Sequence, residues 1–388
     1  MSTCVKICHT RQLGSSMPGL DFGGIGNGTS RSSESVSNLS DISGDTSRHA
    51  NQTGPYLEGH MKLLATIDCP ADVMCNRFND DGTLLAVGLI NGTIKIYETE
   101  PLTCNCLHSL QDEDTMKARL PVTQIRFKHF EPTDKPEHKR IVIACYASGL
   151  IKFWHYTSGK CLHTINDPDH SQILTLAVNP ENTLFCTTGD DPRVHLYDLE
   201  TQKKVSTLEP SDGRDIMDGH KCRVFALMYH PTIPHVFVSG GWDDTVHYWD
   251  DRKRHSHKHI SGPHICGDAI DIDPRHNHIL TGSWCAGITL QIWDFNTALK
   301  IKDVPPEPLN NTMVYCCQWL GSESIISGGH NHNMARIIDR GTLNTTGQLL
   351  DLAHSVYCLD NDHKGSHPRV AIGSQNYIYI VKEEKKNN

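Results

Sequence analysis

Apolar residues recur along most of this chain in short runs, each bounded by Gly, Pro, Asn or Asp. Runs of this length, rich in β-branched and aromatic residues, predict strands rather than helices. The clearest set lies in residues 219–252. Val224–Tyr229 alternates and is read as a first strand, which His230-Pro231 ends because proline cannot extend a ladder. Residues 236–239 form the second strand, Gly240-Gly241 permits a sharp turn, and 246–249 form the third.

The same three-run unit can be traced seven times. The third runs end at or near Tyr97, Trp154, Tyr197, Trp249, Trp293, Ile338 and Val381, roughly 43 to 57 residues apart. Residues 219–252 open on Gly-His and close on Trp-Asp, with an Asp-bearing turn before the last strand, and so resemble one blade of the WD-repeat β-propeller family. The fourth unit alone carries the whole signature; the first, sixth and seventh are degenerate. The resemblance covers about residues 60 to 383 and implies an all-β, seven-bladed WD-repeat β-propeller with a disordered N-terminal tail. The expected division is a Ser/Gly-rich tail over 1–58, a propeller over 59–384 and a short charged tail over 385–388.

The resemblance also implies an internal network in the fourth blade: His220 bonded to Asp243 and Ser239, and Ser239 to the indole N–H of Trp249. In the third blade Thr187 and Asp191 match two of these positions, with His170 closer to the strand than His220 is. The outer strand of each blade is then supplied by the segment leading into the next repeat. Residues 62–67 are left over at the front and are expected to pair beside 377–381, closing the ring and removing its free edges.

Composition narrows the function classes. A formal charge of −9 argues against binding a phosphate backbone. Fifteen cysteines, an odd number without regular spacing, point to a reducing, intracellular compartment, cytoplasmic or nuclear. The N-terminus shows Lys6 and Arg11 without an apolar run behind them, and no stretch approaches a membrane span, so neither a signal peptide nor membrane insertion is expected. No nucleophile elbow, phosphate loop or metal-ligand spacing stands out, so no cofactor, metal or catalytic residue is assigned, and a propeller hydrolase is the least favoured reading.

A propeller displays loops rather than implying an activity. The residue before the turn position that Asp191 and Asp243 hold falls on one rim: Ile90, Ala147, Asp190, Trp242, Trp284, His330 and Gln375. Trp242 and Trp284 occupy the same place in adjacent blades, and family geometry sets Arg223 and Phe225 near the channel mouth. Together with His330 these residues are candidates to bind a partner peptide across blades four to six; alternatively the two indoles cap the blade packing. On the opposite rim, Trp249-Asp250-Asp251-Arg252 is similar to the motif by which WD-repeat substrate receptors dock on the adaptor of cullin-RING ubiquitin ligases, with Arg252 as the contact. The chain is thus expected to be a monomeric, non-catalytic scaffold of a multiprotein complex. Three further stretches stand out: a charged insertion at 131–140, a loop at 209–218, and a basic outer strand at 252–259 whose His255, His257 and His259 would share one face.

Overall fold

The computed structural model describes residues 54–129, 140–167, 172–213, 216–308 and 311–384. Seven antiparallel sheets succeed one another along the chain. Blade one holds β3 (Val73–Phe78), β4 (Leu84–Leu89), β5 (Ile94–Glu98) and β6 (Cys106–Leu110). Blade two holds β7 (Val122–Phe127), β8 (Ile141–Tyr146), β9 (Leu150–His155) and β10 (Lys160–Asn166). Blade three holds β11 (Ile173–Val178), β12 (Leu184–Gly189), β13 (Val194–Asp198) and β14 (Lys204–Leu208). Blade four holds β15 (Val224–Tyr229), β16 (Val236–Gly241), β17 (Thr245–Asp250) and β18 (Lys258–Ser261). Blade five holds β19 (Ile270–Asp273), β20 (His278–Gly282), β21 (Leu290–Asp294) and β22 (Lys300–Val304). Blade six holds β23 (Met313–Leu320), β24 (Ser324–His330), β25 (Ala335–Asp339) and β26 (Thr345–Leu350), and blade seven holds β27 (Val356–Asn361), β28 (Arg369–Ser374) and β29 (Tyr377–Glu383).

The ring closes with β2 (Met61–Asp68), which is the outer strand of blade seven. It runs antiparallel to β29, with Leu63 opposite Val381 and Ile67 opposite Ile378. A second strap precedes it. β1 (Tyr56–Gly59) lies against β26, Tyr56 opposite Leu350, and makes blade six five-stranded. The boundary expected at residue 58 therefore falls inside a strand. Residues 1–53 of the expected tail, the segment 385–388, His170 and residues 131–139 of the charged insertion lie outside the described residues.

The core sits between neighbouring blades. In one cluster Val246 and Tyr248 of blade four, Ile279 and Ile292 of blade five and Val314 of blade six pack together, all nearly inaccessible. Blades approach closely enough to demand glycine. A Cβ on Gly240 would stand 2.7 Å from Ile270 Cδ1, so this glycine serves the contact with blade five rather than a turn, and it lies within β16. The second strands of blades one, five, six and seven carry Gly88, Gly282, Gly328 and Gly373 against a valine of the next inner strand in the same way.

Among the described residues one helix, α1 (Glu113–Ala118), interrupts the β pattern between blades one and two. Asp112 caps it, accepting from the Thr115 amide at 3.0 Å, while Thr115 Oγ1 accepts from the Asp112 amide at 3.0 Å. The cap has a second duty. Lys152 of β9 is wholly buried, and its ammonium donates to Asp112 at 2.6 Å, Asp114 at 2.9 Å and Thr164 Oγ1 at 3.2 Å.

Candidate functional site

Blade four is held by the polar network at its back. His220 Nδ1 lies 2.9 Å from an Asp243 carboxylate oxygen, and its Nε2 lies 2.6 Å from Ser239 Oγ. Trp249 Nε1 donates to the same Ser239 oxygen at 2.7 Å. Asp243 also accepts from the Lys221 amide and from Thr245 Oγ1. Burial would raise the Asp243 carboxyl, but the His220 bond and charge, with these other donors, hold it well below the usual carboxylate range. His247, stacked edge-on to His220 at 4.6 Å, is pushed down to about 3 by burial and by the His220 charge, and is therefore neutral. One ligand atom each from His220, Asp243 and His247 falls within 4.8 Å of the others. Both His220 nitrogens are already engaged by Asp243 and Ser239, so this cluster reads as a hydrogen-bonded strut.

Related side-chain bonds brace other blades among the described residues. In blade three Asp191 meets His195 Nε2 of the third strand at 3.1 Å. In blade two Trp154 donates to Tyr146 Oη at 3.0 Å, and in blade five Trp293 donates to Thr281 Oγ1 at 2.9 Å.

The upper rim is built by the turns between second and third strands and by the segments leading into the inner strands. The amides of Ile90, Ala147, Asp190, Trp242 and Trp284 each donate to a carbonyl of that leading segment, at 2.8–3.2 Å. Five positions read as equivalent in the sequence thus share one backbone bond. Trp242 packs on Phe225 at 5.4 Å and on His264 at 6.4 Å, lies beneath the Arg223 guanidinium at 5.7 Å, and donates its indole N–H to Cys266 Sγ at 3.0 Å. Trp284 stacks on Tyr315 at 6.4 Å, and Tyr315 in turn meets Tyr357 at 5.4 Å and His330 at 6.4 Å. His330 Nδ1 lies 2.7 Å from Ser355 Oγ, and burial lowers its pKa. The Trp284 indole N–H is buried without a hydrogen-bond partner.

The candidates therefore fall into two aromatic groups, Arg223–Phe225–Trp242–His264 and Trp284–Tyr315–Tyr357–His330. Tyr315, Tyr357 and His264 were missed by sequence reasoning. The signal for the tyrosines was available: Val224-Phe225, Val314-Tyr315 and Val356-Tyr357 repeat a buried valine followed by a ring at the start of an inner strand.

On the lower rim Arg252 is exposed, but its Nε and Nη2 both donate to Asp250 at 2.8 Å. Asp251 is buried and bonded to His235 at 3.0 Å. The basic outer strand expected at 252–259 is shorter: β18 begins only at Lys258. His255 bonds the Glu209 carbonyl, His257 sits edge-on to Tyr248, and His259 faces His247, so the three do not share a face. A bonded turn over 250–253 replaces the strand there, because Asp250 also captures the Arg252 amide.

The profile described as WD domain, G-beta repeat matches residues 61–98, 159–198 and 213–250. This chain is a WD-repeat β-propeller. Two of the matched segments, 61–98 and 159–198, open on an outer strand of the preceding blade and close on a third strand. The chain is 28% identical to "Target of rapamycin complex subunit wat1" of Schizosaccharomyces pombe over 178 residues, covering 44% of this chain and 51% of that protein. It is 25% identical to "Target of rapamycin complex subunit LST8" of Bos taurus over 162 residues, 41% of this chain and 45% of that protein. It is 24% identical to "Periodic tryptophan protein 2" of Arabidopsis thaliana over 180 residues, 46% of this chain and 17% of that protein. The matched region spans about half or less of the length of these relatives. No helix among the described residues is long and apolar enough to cross a membrane.

Proposed function

We propose that this WD-repeat protein is a non-catalytic interaction scaffold whose upper rim, over blades four to six, binds an extended segment of a protein partner. The observation that carries this reading is the gathering of Trp242, Phe225 and Arg223 with Trp284, Tyr315 and His330 at one rim, the two tryptophans on turns held by the repeated backbone bond. Aromatic and arginine side chains at the centre of a patch are the usual anchors of a protein interface. The rigid sheet behind them lowers the cost of ordering the site. Relatives whose names make them subunits of a target of rapamycin complex support a role within an assembly. Amide hydrogen exchange with and without a bound partner tests the site. Slowed exchange at 240–245 and 283–289 is expected; protection confined to the other rim would contradict it.

The ligase-receptor reading rests on Arg252. Its guanidinium is folded back on Asp250, which leaves Nη1 to reach an adaptor. Loss of adaptor peptides on Arg252→Ala, with an unchanged melting profile, would favour it over the general scaffold.

A further inference from the structure

The lower mouth of the channel carries a different chemistry. A cavity of about 150 Å³ opens there between blades seven, one and two, lined by Arg77, Arg126, Phe127 and Asp360 among others. A second, of about 180 Å³, adjoins it, sharing Phe127 and Asp80 and adding Lys128, Arg140 and Tyr156. Phe127 and Tyr156 meet edge to face at 5.7 Å and form an apolar wall of the second lobe.

The carboxylates of this region are spent. Asp360 is buried and accepts from Arg77 at 2.6 Å, Gln318 at 3.0 Å and the Phe78 amide at 2.7 Å. Arg77 is shared with Asp268 at 2.9 Å. Asp362 is held by Arg369 at 2.7 Å, and Asp80 by His129 at 2.6 Å. The cations are not matched. Arg126 makes one hydrogen bond, from Nη1 to the adjacent Ile125 carbonyl at 2.9 Å, leaving most of its five N–H donors without a protein acceptor. Among the described residues neither it nor Lys128 nor Arg140 has a carboxylate within ion-pair distance. Burial and the neighbouring Arg77 charge push the Arg126 guanidinium down to about 10, against the opposing charges of Asp268 and Asp360.

We propose that this two-lobed cleft is a receptor for an acidic peptide segment, one carboxylate of which seats on the Arg126 fork while a second reaches Lys128 and Arg140. A planar guanidinium with free parallel N–H donors matches a carboxylate in two bonds. Two small lobes beside an apolar wall suit side chains on a carbon spacer. A nucleic-acid backbone would need a broad basic surface, which a chain of net charge −9 does not offer.

The test uses the full chain and fluorescein-labelled hexaglutamate, read by anisotropy at low salt, with hexaglutamine as the uncharged control. The wild type is expected to bind hexaglutamate at least about tenfold more tightly than hexaglutamine. Arg126→Gln should weaken hexaglutamate about tenfold or more, as truncation of a charge partner does. Asp80→Asn should tighten it, and Trp242→Ala/Trp284→Ala should leave it unchanged, which separates this cleft from the upper rim. If Arg126→Gln is unfolded by its melting curve, Lys128→Gln/Arg140→Gln decides, with weakened binding supporting the proposal and unchanged binding overturning it. A wild type that ignores hexaglutamate, equal binding of hexaglutamine, or a folded Arg126→Gln that binds as the wild type does would also overturn it.

Discussion

Lys152 is the sharpest test of the energetics of this ring. Its ammonium is wholly buried, whereas its partners are wetter: the Asp112 side chain is 26% exposed and that of Asp114 62%. Removing the carboxylates and removing the cation should therefore differ. Asp112→Asn/Asp114→Asn strands a buried charge, a change that costs about 3–5 kcal/mol, while asparagine keeps the helix cap. Lys152→Met removes the cation and leaves two carboxylates that water can reach, so it should cost no more than about 1 kcal/mol. For a fold of more than 300 residues each kcal/mol lowers the thermal midpoint by about 1–2 °C. The carboxylate pair should then lose about 3–10 °C and Lys152→Met no more than about 2 °C, read by differential scanning calorimetry. Burial acts against both charges, but the Lys152 bond lowers the Asp112 pKa, and the bonds to Asp112 and Asp114 raise that of Lys152. The depressed carboxyl contributes stability above its unfolded pKa, lost as pH falls through the folded value, below about pH 4. The raised ammonium contributes stability below its unfolded pKa, lost as pH rises through the folded value, above about pH 10.4. Equal losses for the two variants, or a larger loss for Lys152→Met, would mean that the buried ammonium does not depend on its carboxylates.

Further outcomes follow from other contacts. Deleting residues 62–67 removes most of the strand that closes blade seven and should give aggregated protein by size-exclusion chromatography; an unchanged melting profile would refute the closure. Gly328→Ala puts a Cβ 2.4 Å from Val356 Cγ1 and should cost about 1–3 kcal/mol in chemical denaturation, whereas no loss would mean the blades can part cheaply. Ser239→Ala leaves the Trp249 indole N–H and a His220 nitrogen without their shared partner, and should cost about 3 kcal/mol, with faster amide exchange in blade four than in blade one. Gly59→Val, at φ +71 and with its Cβ 2.3 Å from the Thr346 carbonyl, should release β1 and speed exchange at β26 while the midpoint falls little.

The repeats were legible because a bulky residue stands near the end of each third strand at intervals of roughly 43 to 57 residues, and because proline and Asp-Gly mark turns. The closing strand was legible by subtraction, since seven triplets leave one outer strand to find. β1 was not, because Tyr56-Leu57-Glu58-Gly59 is short, half polar and carries a strand only through its pairing with β26. The histidines of 252–259 misled for a related reason: alternation implies a common face only where the backbone is extended, and Asp250 turns it instead. Gly240 looked like a turn residue because a glycine pair between two strands usually is one; the approach of Ile270 is a tertiary fact. The rim positions were readable from their place in the turn that Asp243 marks in blade four. The packing of their rings on Tyr315 and Tyr357 was not, since those residues lie 31 and 73 positions beyond Trp284.

The upper rim of blades four to six is the proposed seat of the partner. It is tested most directly by affinity purification with quantitative mass spectrometry, comparing the wild type with Trp242→Ala/Trp284→Ala and with Arg252→Ala, each of unchanged melting profile. A partner that is lost with the tryptophan pair and kept with Arg252→Ala is expected. Retention of every partner by the tryptophan variant would contradict it.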